Sequence, residues 1–309
     1  MGWMMVLNQN DMAYHTTVLL HEGVDALEVK ANGVYVDVTL GAGGHSREIL
    51  KRLGPEGKLF GFDQDSDAVK NQPDDPRFQL CFGNFRFISQ FLTASGVDKV
   101  DGIIADLGVS GHHFDAAERG FSFRFDARLD MRMNPSQEKD AVQVVNEYEE
   151  RELGMLFKRY GESGFAKQIS RAIGRVRNEK RIEMTTDLVR IVEQVVPERK
   201  VKGELPKIFQ AIRIEVNDEL QVLEEFLTQV PDLLNTGGRL VVLSYHSLED
   251  RMVKHFLRSG NFDDKQEKDV FGNVLRPMDQ IGKVISPSDE EIEANPRARS
   301  AKMRVGVKR

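Results

Sequence analysis

Three acids and a glycine-rich turn are the residues of this chain that could do chemistry. In "VDVTLGAGGHS" the loop after an apolar run carries Gly41, Gly43 and Gly44, then His45, with Asp37 just before it. Glycines let a backbone approach a ligand closely, and the N-terminus of a following helix offers free N–H groups. Asp63 ends "GFD", about 20 residues further on, where an acid is placed to accept both hydroxyls of a ribose. Phe85 follows "CFGN" and could pack on a purine ring, and Asp106 ends "IIAD". Each feature alone has a plain alternative: a tight turn, a helix cap or a core aromatic. Their recurrence at successive strand ends is the informative part.

The loop is G-x-G-G. Ser46 stands where the third glycine of a dinucleotide fingerprint would fall, which argues against a nicotinamide-dependent dehydrogenase. S-adenosylmethionine has no pyrophosphate to cradle, but has a ribose, an adenine and an amino-acid tail. Acids at Asp37, Asp63 and Asp106 suit that ligand better. A methyltransferase is therefore expected ahead of a dehydrogenase, and ahead of a non-catalytic RNA-binding module, which would have no use for the strand-end acids.

These residues need a scaffold, and the first third of the chain predicts one. Runs at "GVYVDVTL", "KLFGFD", "RFQLCF" and "VDGIIADLG" alternate with helix-like segments at Ser46 to Leu53, Asp65 to Asn71 and Phe85 to Ser95. Such alternation predicts βαβ units and a parallel sheet, with ligands beyond the carboxyl ends of the strands. From Arg119 to Phe209 the spacing predicts helices alone, one of them capped by Thr185 or Thr186 with Asp187 in its first turn. A helix carrying Ile212, Val216, Leu220, Leu223, Leu227 and Val230 then leads into a buried strand at "TGGRLVVLSYHS", and "AKMRVGVKR" supplies a last one. The expected organisation is a discontinuous sheet domain, 1–118 and 210–309, interrupted by a helical insertion, 119–209.

With 309 residues, 40% hydrophobic and 30% charged, the composition is that of a globular protein with a sizeable core. No apolar run approaches the roughly 20 residues of a membrane span, and the first residues do not resemble a secretion signal, so a cytoplasmic protein is expected. Cys81, the one cysteine, is expected to be a buried, inert thiol. The net charge of −6 does not favour nucleic acid, but two stretches are basic. Lys167, Arg171, Arg175, Arg177, Lys180 and Arg181 lie close together, as do Arg297, Arg299, Lys302, Arg304, Lys308 and Arg309. They suit local phosphate contacts, or else a solvated helix face and a charged tail.

The motifs "YHTTVLL", "VDVTLGAGGHS", "DGIIADLGVS", "RGFSF", "LDMRM", "FQAIRIEVNDEL", "GGRLVVLSYHSLEDRMVK" and "NPRARSAKMR", in that order, resemble the ribosomal RNA small subunit methyltransferase H family, the MraW-type enzymes. The resemblance spans nearly the whole chain. It implies a Rossmann-like α/β domain dependent on S-adenosylmethionine, with an inserted all-helical substrate-recognition domain. It further implies methyl transfer to N4 of a cytidine in the decoding region of bacterial 16S rRNA, on the small ribosomal subunit. By motif, the cofactor contacts fall on Gly43, Gly44, His45, Asp63, Phe85, Asp106 and His113. The chain departs from the family at "DLGVSGHHFD", where a Gln is usual at His113, at "KGELPKIFQA" and at Asn134.

Asp106 is the candidate acceptor for an N4 proton. "SYHSLEDR" is no hydrolase motif, since it lacks a G-x-S-x-G turn. Ser247 with Asp250 is expected to form a helix capping box, and His246, at a strand end, to face the target base. Arg119, Arg132, Arg251 and Arg299 are candidate phosphate contacts. Adjacent His112 and His113 lack further metal-ligand spacing, so no metal is expected.

Overall fold

The seven strands of the computed structural model, which describes residues 17–109 and 117–309, form one sheet in the order β3-β2-β1-β4-β5-β7-β6. They are β1 (Val34–Asp37), β2 (Lys58–Asp63), β3 (Phe78–Phe82), β4 (Val100–Asp106), β5 (Leu234–Ser244), β6 (Met278–Ile285) and β7 (Lys302–Lys308). Strands β1 to β5 run parallel, whereas β7 is antiparallel to both β5 and β6. The architecture is the expected Rossmann-like α/β sheet. Its order reverses between β1 and β4, which opens a crevice at the strands' carboxyl ends.

Both faces of the sheet are buried because its strands alternate two apolar sets. Val36, Phe60, Phe62, Ile103, Leu240 and Val242 pack under helices 88–94, 219–233 and 247–259, through Leu92, Phe226, Leu227, Phe256 and others. Tyr35, Leu59, Ile104, Val241 and Met303 pack on the opposite side against Val24 and Leu27 of helix 20–27 and Ile49 of helix 44–52. Cys81 sits in the first of these cores, and burial pushes its thiol up to about 11, which keeps it unreactive. Strand β6 was not expected from sequence. As an edge strand it buries only one end and carries little apolar signal.

Between β4 and β5 lies a second core, built from Phe121 to Val216 on helices 141–147, 150–159, 166–179, 185–195 and 198–217. Among its described residues the only strand-like feature is an isolated bridge between Arg128 and Met184. Met184, not a threonine, occupies the N-cap of helix 185–195. Thr185 is instead buried in the first turn, donating to the Phe125 carbonyl at 2.6 Å. Asp187 does stand in that first turn and accepts from the Met184 N–H.

The helix expected through Ile212 and Val230 is two helices. Asp218 adopts φ 50° and breaks it, so that Ile212 and Val216 enter the insertion core while Leu223, Leu227 and Val230 enter the sheet core. The division between cores thus falls at Asp218, beyond the expected 209/210 boundary. A period of three and four residues cannot reveal which of two cores each side chain joins.

Arg119 ties the insertion to the sheet, and Asn217 braces the insertion internally. The Asn217 side chain, 6% exposed, accepts from Met133 N–H at 2.7 Å and donates to the carbonyls of Met131 at 2.8 Å and Arg213 at 2.9 Å. Arg119 donates to Asp65 Oδ2 at 3.1 Å and to the carbonyls of Arg132 and Met133 at 2.7 and 3.1 Å. Beside it Gly120, at φ 70°, has no room for a side chain, because a Cβ would stand 2.2 Å from the Arg128 carbonyl oxygen.

Replacing Asn217 by Ala strands buried donors and acceptors and is expected to lower stability by roughly 2–3 kcal/mol, read as a lower urea midpoint. The Arg119–Asp65 pair is 15% and 4% exposed at its side chains. A cycle of Asp65→Asn and Arg119→Met is expected to give a coupling of about 1–3 kcal/mol, and additive losses would show that the pair does not join the two parts.

Candidate active site

The carboxyl ends of β1 and β4 flank the crevice, and Thr39 joins them. Its backbone N–H donates to Asp37 Oδ1 at 3.1 Å, and its Oγ1 accepts the Asp106 N–H at 2.7 Å. Asp37 is 1% exposed and also accepts from Ser46 Oγ at 2.7 Å. Burial pushes its carboxyl above the ordinary range despite the bonds from Ser46 and Thr39. Asp37 and the serine in the third-glycine position therefore brace the loop from below.

The loop turns through Gly41 at φ 49° and Gly43 at φ 75° before the helix begins at Gly44. A Cβ on Gly43 would meet the Asn71 carbonyl oxygen at 2.9 Å, and one on Gly44 would lie 1.8 Å from Thr17 Oγ1. Asp63 Oδ2 accepts the Gly41 N–H at 2.9 Å, and its Oδ1 accepts the Asp65 N–H at 2.9 Å. The acid at the end of β2 thus holds the glycine turn.

His45 is placed differently from the motif expectation. Its ring is 3% exposed and turns inward beneath helix 20–27, where a Cβ on Gly23 would stand 3.3 Å from Nε2. Burial holds the imidazole below its ordinary pKa, only partly offset by Asp106 and the carbonyls of Leu19 and Val18. His45 Nδ1 lies 3.8 Å from Asp106 Oδ2. Asp106 Oδ1 accepts from the Tyr245 hydroxyl at 2.7 Å. Burial raises the Asp106 carboxyl, against the lowering effects of His45 and Tyr245.

Beside Asp106 a pocket opens between the sheet and the insertion. Thr39, Gln64, Asn84, Phe85, Leu107 and Gly108 line it from the sheet side, and Met133, Asn217 and Glu219 from the insertion side and its junction. Phe85 is half-buried and packs edge-on against Phe226 at 5.3 Å, leaving part of its ring toward the pocket. Glu249 joins the lining, and no described lysine or arginine does. Walls without a described cationic side chain offer nothing to neutralise a pyrophosphate. The residues present fit a nucleoside without a pyrophosphate: Phe85 offers a ring face and Thr39, Gln64 and Asn84 offer polar groups, while the glycine loop and Asp63 stand at the neighbouring strand ends, outside this lining.

His246 is spent on structure. It is the N-cap of helix 247–259; Nδ1 accepts the Glu249 N–H at 3.4 Å, and Nε2 lies 3.2 Å from Glu249 Oε1. The capping box is thus His246 with Glu249, one residue before the expected Ser247–Asp250 pair. Asp250 instead anchors β7 by accepting from Arg304 Nε at 2.8 Å, and Ser247 donates to Glu162 of the insertion at 3.2 Å. Burial would raise the Glu249 carboxyl, but His246 and Arg213 outweigh it and hold the group below its ordinary value. Glu219, His246 and Glu249 lie close enough to share an ion, yet Arg213 already bridges both Glu219 oxygens at 2.7 and 2.8 Å.

Of the four arginines, Arg119 is drawn onto Asp65, and Arg132 onto both oxygens of Asp130 at 2.8 and 2.7 Å. Arg251 is half-exposed on Glu162, and Arg299 is exposed. His113 lies outside the described residues. Sequence reasoning missed Thr39 and Tyr245. A threonine and a tyrosine at strand ends carry no signal of their own, and only the pairing of β4 with β1 and β5 brings both to Asp106.

The model of the MraW methylase family matches residues 12–309. The ribosomal RNA small subunit methyltransferase H of Flavobacterium psychrophilum is 55% identical over 291 residues, covering 94% of this chain and 100% of that protein. The protein of that name from Flavobacterium johnsoniae is 53% identical over 297 residues, 96% of this chain and 98% of its own. Among solved structures, an rRNA methylase from Streptococcus thermophilus aligns at 12% identity with a TM-score of 0.43, covering 95% of this chain and 98% of that one. The family match over residues 12–309, with 53–55% identity to the two Flavobacterium proteins along nearly the full chain, places the protein in the MraW methylase family.

Proposed function

We propose that the protein transfers a methyl group from S-adenosylmethionine to N4 of a cytidine in the decoding region of bacterial 16S rRNA, on the small ribosomal subunit. The observation that carries this reading is the pocket at the sheet's reversal point, lined by Thr39, Asn84, Phe85, Leu107 and Gly108 without a described lysine or arginine, immediately after Asp106 at the end of β4. The names of the close relatives support the RNA substrate.

The sulfonium donor supplies a methyl group activated enough that alignment provides much of the acceleration, about 7–11 kcal/mol for well-oriented reactants. Cytosine N4 is a weak nucleophile because its lone pair is delocalised into the ring. Asp106 holds the amine by accepting an N–H bond, which pulls electron density onto nitrogen, and takes the proton that N4 loses as it gains the methyl group. A carboxyl raised by burial is the better base for this task. The target base reaches the crevice unpaired, since its amino group is otherwise engaged in a duplex.

Arg251 and Arg299 meet the flanking phosphates, together with exposed Lys167 and Arg171 of helix 166–179. Arg119 and Arg132 act indirectly, by fixing the insertion beside the pocket.

Tritiated methyl transfer to small subunits lacking the modification, followed by nucleoside analysis, tests the reading. Label is expected in N4-methylcytidine of 16S rRNA, and label in another nucleoside overturns the target assignment. Asp106→Ala is expected to slow transfer by about 100- to 10,000-fold while calorimetric binding of S-adenosylmethionine persists. Near-normal turnover would remove Asp106 from the chemistry.

A further inference from the structure

Tyr245 follows β5 and immediately precedes the His246 cap. Its hydroxyl donates to Asp106 Oδ1 at 2.7 Å, and its backbone N–H donates to Glu249 Oε2 at 2.9 Å. The ring packs with the core under helix 20–27 and stands against Gly108, where a Cβ would lie 3.5 Å from Tyr245 Cδ2. Tyr245 is thus fixed at its backbone, its ring and its hydroxyl. Asp106 is fixed at its own N–H by Thr39 and at one side-chain oxygen by Tyr245.

A carboxylate turns readily about its last torsion, which has broad rather than sharply staggered minima. One bond to Oδ1 sets the plane of the group and therefore the direction of Oδ2. That second oxygen is left 3.8 Å from His45 Nδ1, beyond hydrogen-bond distance. We propose that Tyr245 is a positioning residue for methyl transfer: its hydroxyl fixes the Asp106 carboxylate so that Oδ2 is presented to the amino group of the substrate. The inference rests on Asp106 being the acceptor in the reaction proposed above.

A phenol suits this role because it donates one bond without competing for the proton. Burial and the charge of Asp106 push the Tyr245 hydroxyl upward, so it remains an O–H throughout the working range. The other titratable groups around Asp106 are His45, Asp37 and Glu249, and Glu291 acts on Tyr245. The bond from Tyr245 favours the ionised form of Asp106 and so lowers its pKa. Its loss must move the acid limb of the pH–rate profile to higher pH. A stronger donor in its place must move that limb to lower pH.

The test is single-turnover transfer to unmodified small subunits, followed over roughly pH 6 to 9. Tyr245→Phe is expected to lower the rate about 10- to 100-fold, the value of a hydrogen bond to a charged group, with KM for either substrate changed less than about twofold. Its acid limb is expected to shift upward. Replacing Tyr245 by 3-fluorotyrosine, a more acidic phenol of nearly the same shape, is expected to keep the rate and shift the limb downward.

An unchanged rate and limb in Tyr245→Phe overturns the proposal. If that variant does not fold, the fluorotyrosine protein decides, and an unmoved limb there is equally fatal. Asp106→Asn separates this inference from the reading beneath it. Full activity in Asp106→Asn removes both, whereas an inactive Asp106→Asn beside a fully active Tyr245→Phe removes only the role of Tyr245.

Discussion

A carboxylate taken out of water must be given partners, and this requirement organises the carboxyl edge of the sheet. Asp37 takes Ser46 and Thr39, Asp65 takes Arg119, and Glu249 takes the N–H groups of Tyr245 and His246. Asp106 alone among these keeps a side chain still 22% exposed. Each satisfied acid fixes a different element: the glycine loop, the insertion, and the start of the helix after β5. The acid left partly open is the one proposed above to accept the proton.

The same edge explains how two cores behave as one enzyme. The insertion leaves the sheet after β4 and returns before β5, so its attachments converge on the crevice. Arg119 reaches Asp65, Gln64 donates toward Met133 Sδ at 3.7 Å, and Glu162 meets Ser247 and Arg251. Asn217 locks the segment around Met131 to Met133 onto the end of helix 198–217. The pocket wall supplied by Met133 and Asn217 is therefore braced from within the insertion. Among the described residues no helix is long and apolar enough to cross a membrane.

Much of this was legible beforehand where local chemistry is strong. Apolar, β-branched or aromatic runs marked β1 to β5, and the glycines marked a turn that the φ angles of Gly41 and Gly43 require. Asp63 was legible because its distance from the loop follows from the length of a βα unit. The polar edge strand β6, the break at Asp218 and the His246 cap were not legible. Their conformations are set by neighbours far away in sequence, and the residue types involved are common elsewhere.

By itself the sequence determined the alternation of strands and helices, the glycine turn, the acids at the strand ends and the membership that its motifs imply. These depend on residue type and short spacing, which the chain carries locally. Only the tertiary structure decided what each polar group is used for. It turned His45 inward, made His246 a cap, drew Arg119 and Arg132 into internal ion pairs, and brought Thr39 and Tyr245 to Asp106. The physical reason is that a hydrogen-bond partner is chosen by position in space, and the reversal of strand order between β1 and β4 sets that position.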